Sequence, residues 1–498
     1  MSKWFSKNNG LDIPCNWEST PDPAQHKHFL NQLHELILDQ AVFTGTSRSS
    51  KVCDWMEPEK MSSALSLSLG KEGVTQSQLL QLFGDIIKYS VKTGHPYFVN
   101  QLYSSLDVWG LAGQYVTDAL NPSVYTYEVS PVFTIMEMEV LSEMAKYVGY
   151  EEHDGLFSPG GSMSNLYGIL LARYHKFPKI KEVGASQLGR LVAFTSIDSH
   201  YSIKKAAMIM GIGTENLVLV NVDEGGRMDV AHLKECIARV RLDGGTPFFV
   251  TAVSGTTVIG AYDPVEAIAK VCSAEGLWLH VDAAWGGGAL ISDKYKYKLK
   301  GIHRADSLTW NPHKLLAAPQ QCSVFLTKHK GKLEECNSAK ASYLFQKLQF
   351  VDAQAQAGGK YFYCGKHKVK VFQNWFGSSG LEKHIDRVFE LAFTFRDIVV
   401  ARPGFELVLQ PECTNVCFWF IPPSLRNKSR EDKDFDSLLH TVAPKIKERM
   451  VKSGKMMITY QPVRGMPNFF RFVLQNSCLT EQDLKYFIDT IEELGSDL

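Results

Sequence analysis

The residues LWLHVDAAWGGG at positions 277–288 and SLTWNPHK at positions 307–314 are two apolar runs that each lead into polar or glycine residues. Short runs that are apolar on both faces are typical of parallel strands covered by helices on both sides. Asp282 lies 32 residues before Lys314, an interval that fits one strand–helix–strand step. The sequence therefore predicts neighbouring strands whose carboxyl ends bring Asp282 and Lys314 to the same edge of one sheet.

The same alternation of apolar runs and helix-length segments extends over residues 101–385 and predicts an α/β unit with a mostly parallel central sheet. Residues 386–498 instead have the order helix, strand, strand, helix and predict a smaller α+β unit, whose last helix begins with a capping-box spacing. Residues 1–100 carry amphipathic helical runs that we expect to dock on another surface. The candidate strands are Leu191–Thr195, Leu217–Val222, Pro247–Ala252, Trp278–Val281, Ser307–Trp310, Ser323–Leu326, Val416–Ile421, Met456–Tyr460 and Phe470–Leu474.

The composition limits the possible classes of protein. The chain has 498 residues, of which 53 are basic and 53 acidic, and its 45% of hydrophobic residues fits a globular protein. A formal net charge of zero gives no electrostatic reason to expect nucleic acid or an anionic membrane as a partner. Ten scattered cysteines without a CxxC pair favour reduced thiols in the cytoplasm over disulfides or a metal site. The uncharged stretch 244–262 contains Pro247, so we interpret it as a strand and a loop and not as a membrane helix.

Lys314 is the first candidate for chemistry. A lysine is usually a solvated surface charge, but Lys314 lies between an apolar strand and the apolar run 315–319, which indicates burial. Burial lowers the pKa of a lysine and makes its amine a nucleophile toward a carbonyl, as in a Schiff base with an aldehyde cofactor. Asp282 ends a buried strand, where it either caps a helix or faces a cation such as a pyridinium nitrogen, which it would keep protonated.

Three further motifs lie at the ends of predicted strands or at the start of a helix. SPGGSMSN at residues 158–165 suits a phosphate at a helix N-terminus, although glycine-serine turns that only cap a helix are common. His200 is either a structural histidine or a ring that stacks on a cofactor. SGTT at residues 254–257 offers hydroxyl groups to a ring substituent or forms a turn. Together with Asp282 and Lys314, these motifs specify pyridoxal phosphate.

The order SPGGSMSN, SHYS, SGTT, HVDAAWGG, NPHK resembles the group II pyridoxal-phosphate decarboxylases. The resemblance extends from VKTGHP at residue 91 to FFR at residue 469 and is nearest to the glutamate, cysteine sulfinate and acidic amino acid decarboxylases. It implies an α/β fold of the aspartate-aminotransferase type (type I PLP fold) in three parts. These are a helical segment that forms a homodimer (1–100), a large cofactor domain (101–385) and a small C-terminal α+β domain (386–498), with active sites at the dimer interface.

The resemblance also implies a role for each matching residue. Lys314 holds pyridoxal 5'-phosphate covalently, Asp282 pairs with the pyridine nitrogen, and His200 stacks on the ring opposite Ala284. Tyr343 matches a loop tyrosine that protonates the substrate carbon after carbon dioxide leaves. The remaining cofactor contacts are Ser162, Met163 through its backbone, Ser164, Asn311, His313 and Thr257, and the substrate contacts are Gln101, Ser123, Tyr125 and Arg471.

Ser123 and Tyr125 lie where glutamate decarboxylases have asparagine and phenylalanine, and this pair resembles the cysteine sulfinate and aspartate branch. We therefore expect a small acidic amino acid as the substrate, with formation of hypotaurine or β-alanine, and glutamate decarboxylation as the alternative. An aminotransferase or an aromatic amino acid decarboxylase is disfavoured by Arg471, because an aromatic substrate needs no distal cation. Residues 351–360 depart from the family pattern, which leaves open a catalytically impaired homologue that still binds the cofactor.

Overall fold

The computed structural model describes residues 22–65, 67–103, 107–339 and 372–498, the last with side chains from residue 377. Two sheets organise this part of the chain. The larger sheet consists of β1 (Asp154–Ser158), β2 (Leu191–Ser196), β3 (Leu217–Val220), β4 (Thr246–Val253), β5 (Trp278–Ala283), β6 (Ser307–Trp310) and β7 (Ser323–Thr327), and the smaller sheet of β8 (Phe405–Leu407), β9 (Asn415–Phe420), β10 (Thr459–Gln461) and β11 (Phe469–Val473).

The larger sheet has the strand order β1-β7-β6-β5-β4-β2-β3 and is mostly parallel, as predicted. The pairs β2–β3, β2–β4, β4–β5 and β5–β6 are parallel. Strand β7 is antiparallel to both β6 and β1. The loop 311–322 between β6 and β7 contains no helical crossover, which a parallel return would require, and the chain therefore turns back.

The α-helices pack on both faces of the larger sheet and around the smaller one. Residues 231–240 and 265–274, predicted to be helical, lie in α9 and α10, and the capping box at Thr480 and Asp483 begins α14. The helices are α1 (Pro23–Ile37), α2 (Pro58–Leu65), α3 (Gln76–Tyr89), α4 (Val108–Leu120), α5 (Pro131–Val148), α6 (Gly161–Lys176), α7 (Ile180–Val183), α8 (Ser202–Ile209), α9 (Val230–Leu242), α10 (Val265–Glu275), α11 (Lys332–Asn337), α12 (Phe372–Ala401), α13 (Phe435–Ser453) and α14 (Glu481–Gly495).

Alternate residues of each strand face opposite helical layers, because successive side chains of a strand point to opposite faces. In β2, Ala193 packs with α6 and α8, whereas Phe194 packs with α9 and α10. In β5, Val281 faces the α9–α10 layer, which places His280 and Asp282 on the α6 side. Gly168 lets α6 lie directly on this side, since a Cβ atom there would be 2.7 Å from Nδ1 of His280.

The sequence prediction was wrong about the connection between β5 and β6. Three short 3-10 helices replace the expected α-helix, at Gly286–Ile291, Lys296–Leu299 and Ile302–Arg304. The two strands are nevertheless adjacent and parallel, so the expected position of Asp282 beside the end of β6 is confirmed. The stretch 244–262 forms β4 and a loop, as predicted. No helix within the described ranges is long and apolar enough to cross a membrane.

Candidate active site

The carboxyl ends of β2, β4, β5 and β6, together with the N-terminus of α6, surround a cavity of about 220 Å³. All five sequence motifs contribute residues that the prediction assigned to the cofactor. The predicted residues that line the cavity are Ser162, His200, Thr257, Asp282, Ala284, Asn311, His313 and Lys314. The structure therefore brings together residues that lie as far as 152 positions apart in the chain.

Lys314 lies in the loop after β6, where its backbone N–H donates to the carbonyl oxygen of Asn311 at 2.9 Å. Its side chain is partly exposed, toward the cavity. Burial lowers the pKa of the Lys314 amine, with a further lowering from the charge of Arg471, whereas the charge of Asp282 opposes the shift. The amine therefore has the desolvated environment that favours a nucleophile toward a carbonyl carbon.

Asp282 presents a buried carboxylate to the same cavity, with only 5% of the residue exposed. Its Oδ2 accepts a hydrogen bond from Nδ2 of Asn165 at 2.8 Å, and its Oδ1 accepts one from the backbone N–H of Ala284 at 3.1 Å. Both donors are neutral, and a buried carboxylate is stabilised most by a positively charged partner. A protonated pyridine nitrogen in the cavity fits this requirement, so the donor set suits pyridoxal phosphate.

His200 and Ala284 also line the cavity, the two residues expected on opposite faces of the cofactor ring. Nδ1 of His200 accepts a hydrogen bond from the backbone N–H of Ser202 at 3.2 Å. Burial lowers the pKa of His200, which favours the neutral imidazole, although the charge of Asp282 acts in the opposite direction. Gly255 closes the cavity between two loops at a φ of +87°, where a Cβ atom would be 2.7 Å from the nitrogen of Gly286.

Two residues at the N-terminus of α6 that are predicted to contact the phosphate make hydrogen bonds within the protein. Ser164 does not line the cavity; its buried hydroxyl lies 2.6 Å from the hydroxyl of Ser158 and ties α6 to the end of β1. The N–H of Met163 donates to the carbonyl oxygen of Gly160 at 3.0 Å, within the first helical turn. The backbone N–H of Met163 and the hydroxyl of Ser164 thus have partners within the chain, whereas Ser162 is exposed at the cavity.

Arg471, from β11 of the smaller sheet, contacts Thr257, one of the residues that line the cavity. One Nη donates to the carbonyl oxygen of Thr257 at 2.8 Å and the other to that of Asn100 at 3.4 Å. Within the described residues, its buried Nε has no hydrogen-bond partner. Burial lowers the pKa of Arg471 to about 10, so the guanidinium stays charged at neutral pH. A desolvated cation with an unused donor is suited to binding an anionic group.

None of the four predicted substrate contacts, Arg471 included, is among the residues that line this cavity. Gln101 is exposed, and its carbonyl oxygen accepts a hydrogen bond from Nε2 of Gln475 at 2.6 Å. Ser123 and Tyr125 lie between α4 and α5, and Tyr125 packs against the apolar cluster to which α6 contributes. Tyr343 and residues 351–360 lie outside the described residues.

Sequence reasoning missed Asn165, which bonds Asp282 and lines the cavity. A signal was present in β5, since His280 and Asp282 are two positions apart and therefore share one face of the strand. Thr309, the cross-strand neighbour of Asp282 in β6, adds a third polar group to that buried face. Three polar side chains on one buried face require partners from the helix above, and Asn165 supplies them.

A desolvated lysine, a buried aspartate and a histidine at the carboxyl edge of a mostly parallel sheet define a pyridoxal-phosphate enzyme with the aspartate-aminotransferase type of fold. The chain matches the pyridoxal-dependent decarboxylase conserved domain over residues 58–421. It therefore belongs to the pyridoxal-dependent decarboxylases. Its cofactor is pyridoxal phosphate, and it is an amino acid decarboxylase.

Several relatives match almost the entire chain. Human cysteine sulfinic acid decarboxylase is 48% identical over 483 residues, which cover 96% of this chain and 98% of that protein. Acidic amino acid decarboxylase GADL1 of Mus musculus is 48% identical over 491 residues, which cover 98% of this chain and 89% of that protein. The crystal structure of mouse CSAD is 45% identical, has a TM-score of 0.94, and covers 96% of this chain and 100% of its own.

Proposed function

We propose that the protein decarboxylates a small acidic L-amino acid, converting cysteine sulfinate to hypotaurine or aspartate to β-alanine with release of carbon dioxide. The observation that carries this proposal is the buried, charged guanidinium of Arg471, which donates a hydrogen bond to Thr257, a residue that lines the cavity with Lys314. A desolvated arginine is costly unless an anion faces it, and an acidic substrate supplies that anion at its distal end. The names of the two relatives at 48% identity, which act on substrates of this kind, support it.

In the proposed site, some residues hold the cofactor and others orient the cofactor ring or bind the substrate. Pyridoxal phosphate, when bound, accepts the electron pair of the broken carbon–carbon bond when carbon dioxide departs. Lys314 holds it through the side-chain amine, and Asp282 keeps a proton on the ring nitrogen. His200 and Ala284 restrain the ring from its two faces, with Arg471 binding the distal acid of the substrate. At the phosphate we place Ser162, Asn311 and His313, with Thr257 near the ring oxygen.

For the substrate we retain Gln101, Ser123 and Tyr125. A short diacid needs a pocket wall that reaches further in, and the hydroxyl of Tyr125 can also hydrogen-bond its distal acid. We assign to Tyr343 the proton that the substrate carbon receives after carbon dioxide leaves. Protonation at that carbon rather than at the cofactor separates decarboxylation from transamination.

The test is carbon dioxide release from cysteine sulfinate, aspartate and glutamate, measured side by side on the purified, cofactor-loaded protein. We expect kcat/KM for cysteine sulfinate or aspartate to exceed that for glutamate by at least about tenfold, a difference of 1.4 kcal/mol in transition-state binding. A preference for glutamate would establish the alternative substrate. Release from none of the three, with the cofactor still bound, would establish an impaired homologue.

We further propose that the protein is a homodimer, with the domain boundaries at residues 100 and 385. Large apolar side chains remain exposed on the N-terminal segment and on α4 and α5, where a second copy would cover them. These side chains include Leu30, Phe43, Val116, Leu120, Val132 and Ile135. For the location of the protein we propose the cytoplasm, which the eight free cysteines of the described residues support.

A further inference from the structure

Asn165 lies in the first part of α6, behind the carboxylate of Asp282, and only 1% of it is exposed. Its Nδ2 donates to Oδ2 of Asp282 at 2.8 Å and to Oγ of Ser202 at 2.9 Å. Its Oδ1 accepts from Nε2 of His280 at 3.0 Å and from Oγ1 of Thr309 at 2.7 Å. An amide has two N–H donors and two acceptor sites, so this one is fully used.

The direction of these hydrogen bonds follows from Trp278, whose indole N–H can only donate. It donates to Oγ of Ser307 at 2.9 Å, and the hydroxyl of Ser307 then donates to Nδ1 of His280, also at 2.9 Å. Burial lowers the pKa of His280 to about 4, so the ring is neutral and its one proton is on Nε2. His280 therefore donates to Asn165, which turns the NH₂ group of the amide toward Asp282.

The chain continues from Asn165 to His200. Because Oγ of Ser202 accepts from Asn165, its hydroxyl proton is directed to Nδ1 of His200, 2.8 Å away. The backbone N–H of Ser202 donates to the same nitrogen at 3.2 Å. Nδ1 of His200 is thus an acceptor, and the neutral ring carries its proton on Nε2, the nitrogen without a hydrogen bond among the described residues.

We propose that Asn165 is a positioning residue whose one amide group fixes the carboxylate of Asp282 and the imidazole of His200 relative to each other. This inference rests on the proposed function, in which Asp282 pairs with the ring nitrogen and His200 stacks on the ring. The amide orients Oδ2 of Asp282 and, through the hydroxyl of Ser202, reinforces the tautomer of His200 that the backbone N–H of Ser202 also favours. The partner of the cofactor nitrogen and the group on the cofactor face are therefore positioned by the same side chain.

Three substitutions separate the two arms of this arrangement, which are the hydrogen bond from Asn165 to Asp282 and the connection from Asn165 through Ser202 to His200. Asn165→Leu removes both arms. Asn165→Asp keeps the shape and the acceptor for His280 and Thr309 but replaces the NH₂ donor, so it tests donation apart from packing. Ser202→Ala breaks only the arm to His200. Asn216→Asp is the matched control for the charge change, because the Nδ2 of Asn216 donates to the carbonyl oxygen of Ile212 in the segment before β3, at the opposite edge of the sheet.

The first readout is the absorbance spectrum of the bound cofactor between pH 6 and pH 9, which needs no substrate. We expect Asn165→Leu and Asn165→Asp to alter the cofactor bands and their pH dependence, whereas Ser202→Ala and Asn216→Asp leave the bands at neutral pH unchanged. The charged and titratable groups that face this spot are Asp282 and His280 of β5, His200 and Lys205 beside it, and Lys314 after β6.

The second readout is steady-state kinetics. Loss of a buried hydrogen bond to a charged group predicts a fall in kcat of about 10- to 100-fold for both Asn165 variants, with KM changed by less than about threefold. For Ser202→Ala we expect a kcat decrease of about threefold or more and a displaced pH profile. The control variant should match the unchanged protein in both measurements.

The proposal would be overturned if both Asn165 variants had the cofactor spectrum of the unchanged protein and a kcat within about twofold of its value. A normal spectrum and kcat for Asn165→Asp together with a defective Asn165→Leu would also overturn it, since loss of packing alone would then explain the effect of Asn165→Leu. Circular dichroism and the oligomeric mass establish that each variant is folded. If Asn165→Leu does not fold, the shape-conserving Asn165→Asp carries the test. Unchanged protein that binds the cofactor but releases no carbon dioxide would refute the proposed function while the spectral test still decides the role of Asn165.

Discussion

At the scale of single residues, Lys314 carries the first prediction. Lys314→Ala removes the amine that the structure places in the cavity, so we expect kcat to fall by more than about 10³-fold, or roughly 4 kcal/mol in the barrier. The oligomeric mass should not change, because the loop of Lys314 is held by backbone hydrogen bonds. Borohydride reduction followed by peptide mapping checks the assignment, and a cofactor adduct on another residue would contradict it.

In the proposed function, Arg471 selects an acidic substrate. Arg471→Ala removes a charged hydrogen bond to the distal acid, and we expect substrate binding to weaken by about 1.5–3 kcal/mol, which corresponds to a 10- to 150-fold rise in KM. The matched control is Arg241→Ala, since Arg241 pairs with Glu275 in an exposed salt bridge outside the site. Steady-state kinetics on cysteine sulfinate and aspartate measure both variants, and an unchanged KM for Arg471→Ala would rule out this role.

At the scale of elements, the pair Arg48–Asp483 joins the N-terminal segment to the first turn of α14. Nε and one Nη of Arg48 donate to the two carboxylate oxygens of Asp483 at 2.7 and 2.8 Å. Burial alone would raise the pKa of Asp483, but hydrogen bonds from Arg48 and Thr480 outweigh it and lower the pKa to about 2. A carboxyl pKa that is lower in the folded state stabilises the fold above the unfolded pKa near 4.

Arg48→Ala should therefore lower the free energy of unfolding by about 1–2 kcal/mol at pH 7, a value reduced for the half-exposed arginine. The difference from the unchanged protein should shrink as pH falls from 4 toward 2, because Asp483 becomes protonated in that interval. Urea unfolding at several pH values measures it. Arg449→Ala, which breaks an exposed pair with Asp497, should have no measurable effect, and an equal loss in both variants would contradict the prediction.

At the scale of the whole molecule, we expect the proposed dimer to form through the exposed apolar side chains of α4 and α5. Val116 is 54% exposed, and in the proposed dimer a partner would bury it. Val116→Glu would place a charge in that interface, so we expect the dissociation constant of the dimer to rise by about 100-fold or more. Leu242→Glu is the control, because Leu242 is 88% exposed on α9. Sedimentation equilibrium compares the two, and an unaltered Val116→Glu dimer would place the interface elsewhere.

The parts of the fold that local rules govern could be predicted. Strand ends in a parallel sheet meet at one edge, so motifs after successive apolar runs had to approach one another, as Asp282 and Lys314 do. The direction of β7 and the 3-10 connection after β5 could not be predicted, because packing of the chain against its neighbours decides them. The contact between the hydroxyls of Ser164 and Ser158 could not be predicted either, because a serine near a helix start suits either a ligand or the chain itself.

By itself, the sequence determined the chemistry: the kinds of residue that end the strands, their order, and the cofactor that this set can hold. Only the tertiary structure decided how those groups are supported. The amide of Asn165 meets Asp282 across 117 positions because α6 lies close above β5, and Arg471 enters from a different sheet altogether. Such contacts depend on how layers pack over long sequence separations, which the spacing of residues within a strand or a helix does not encode.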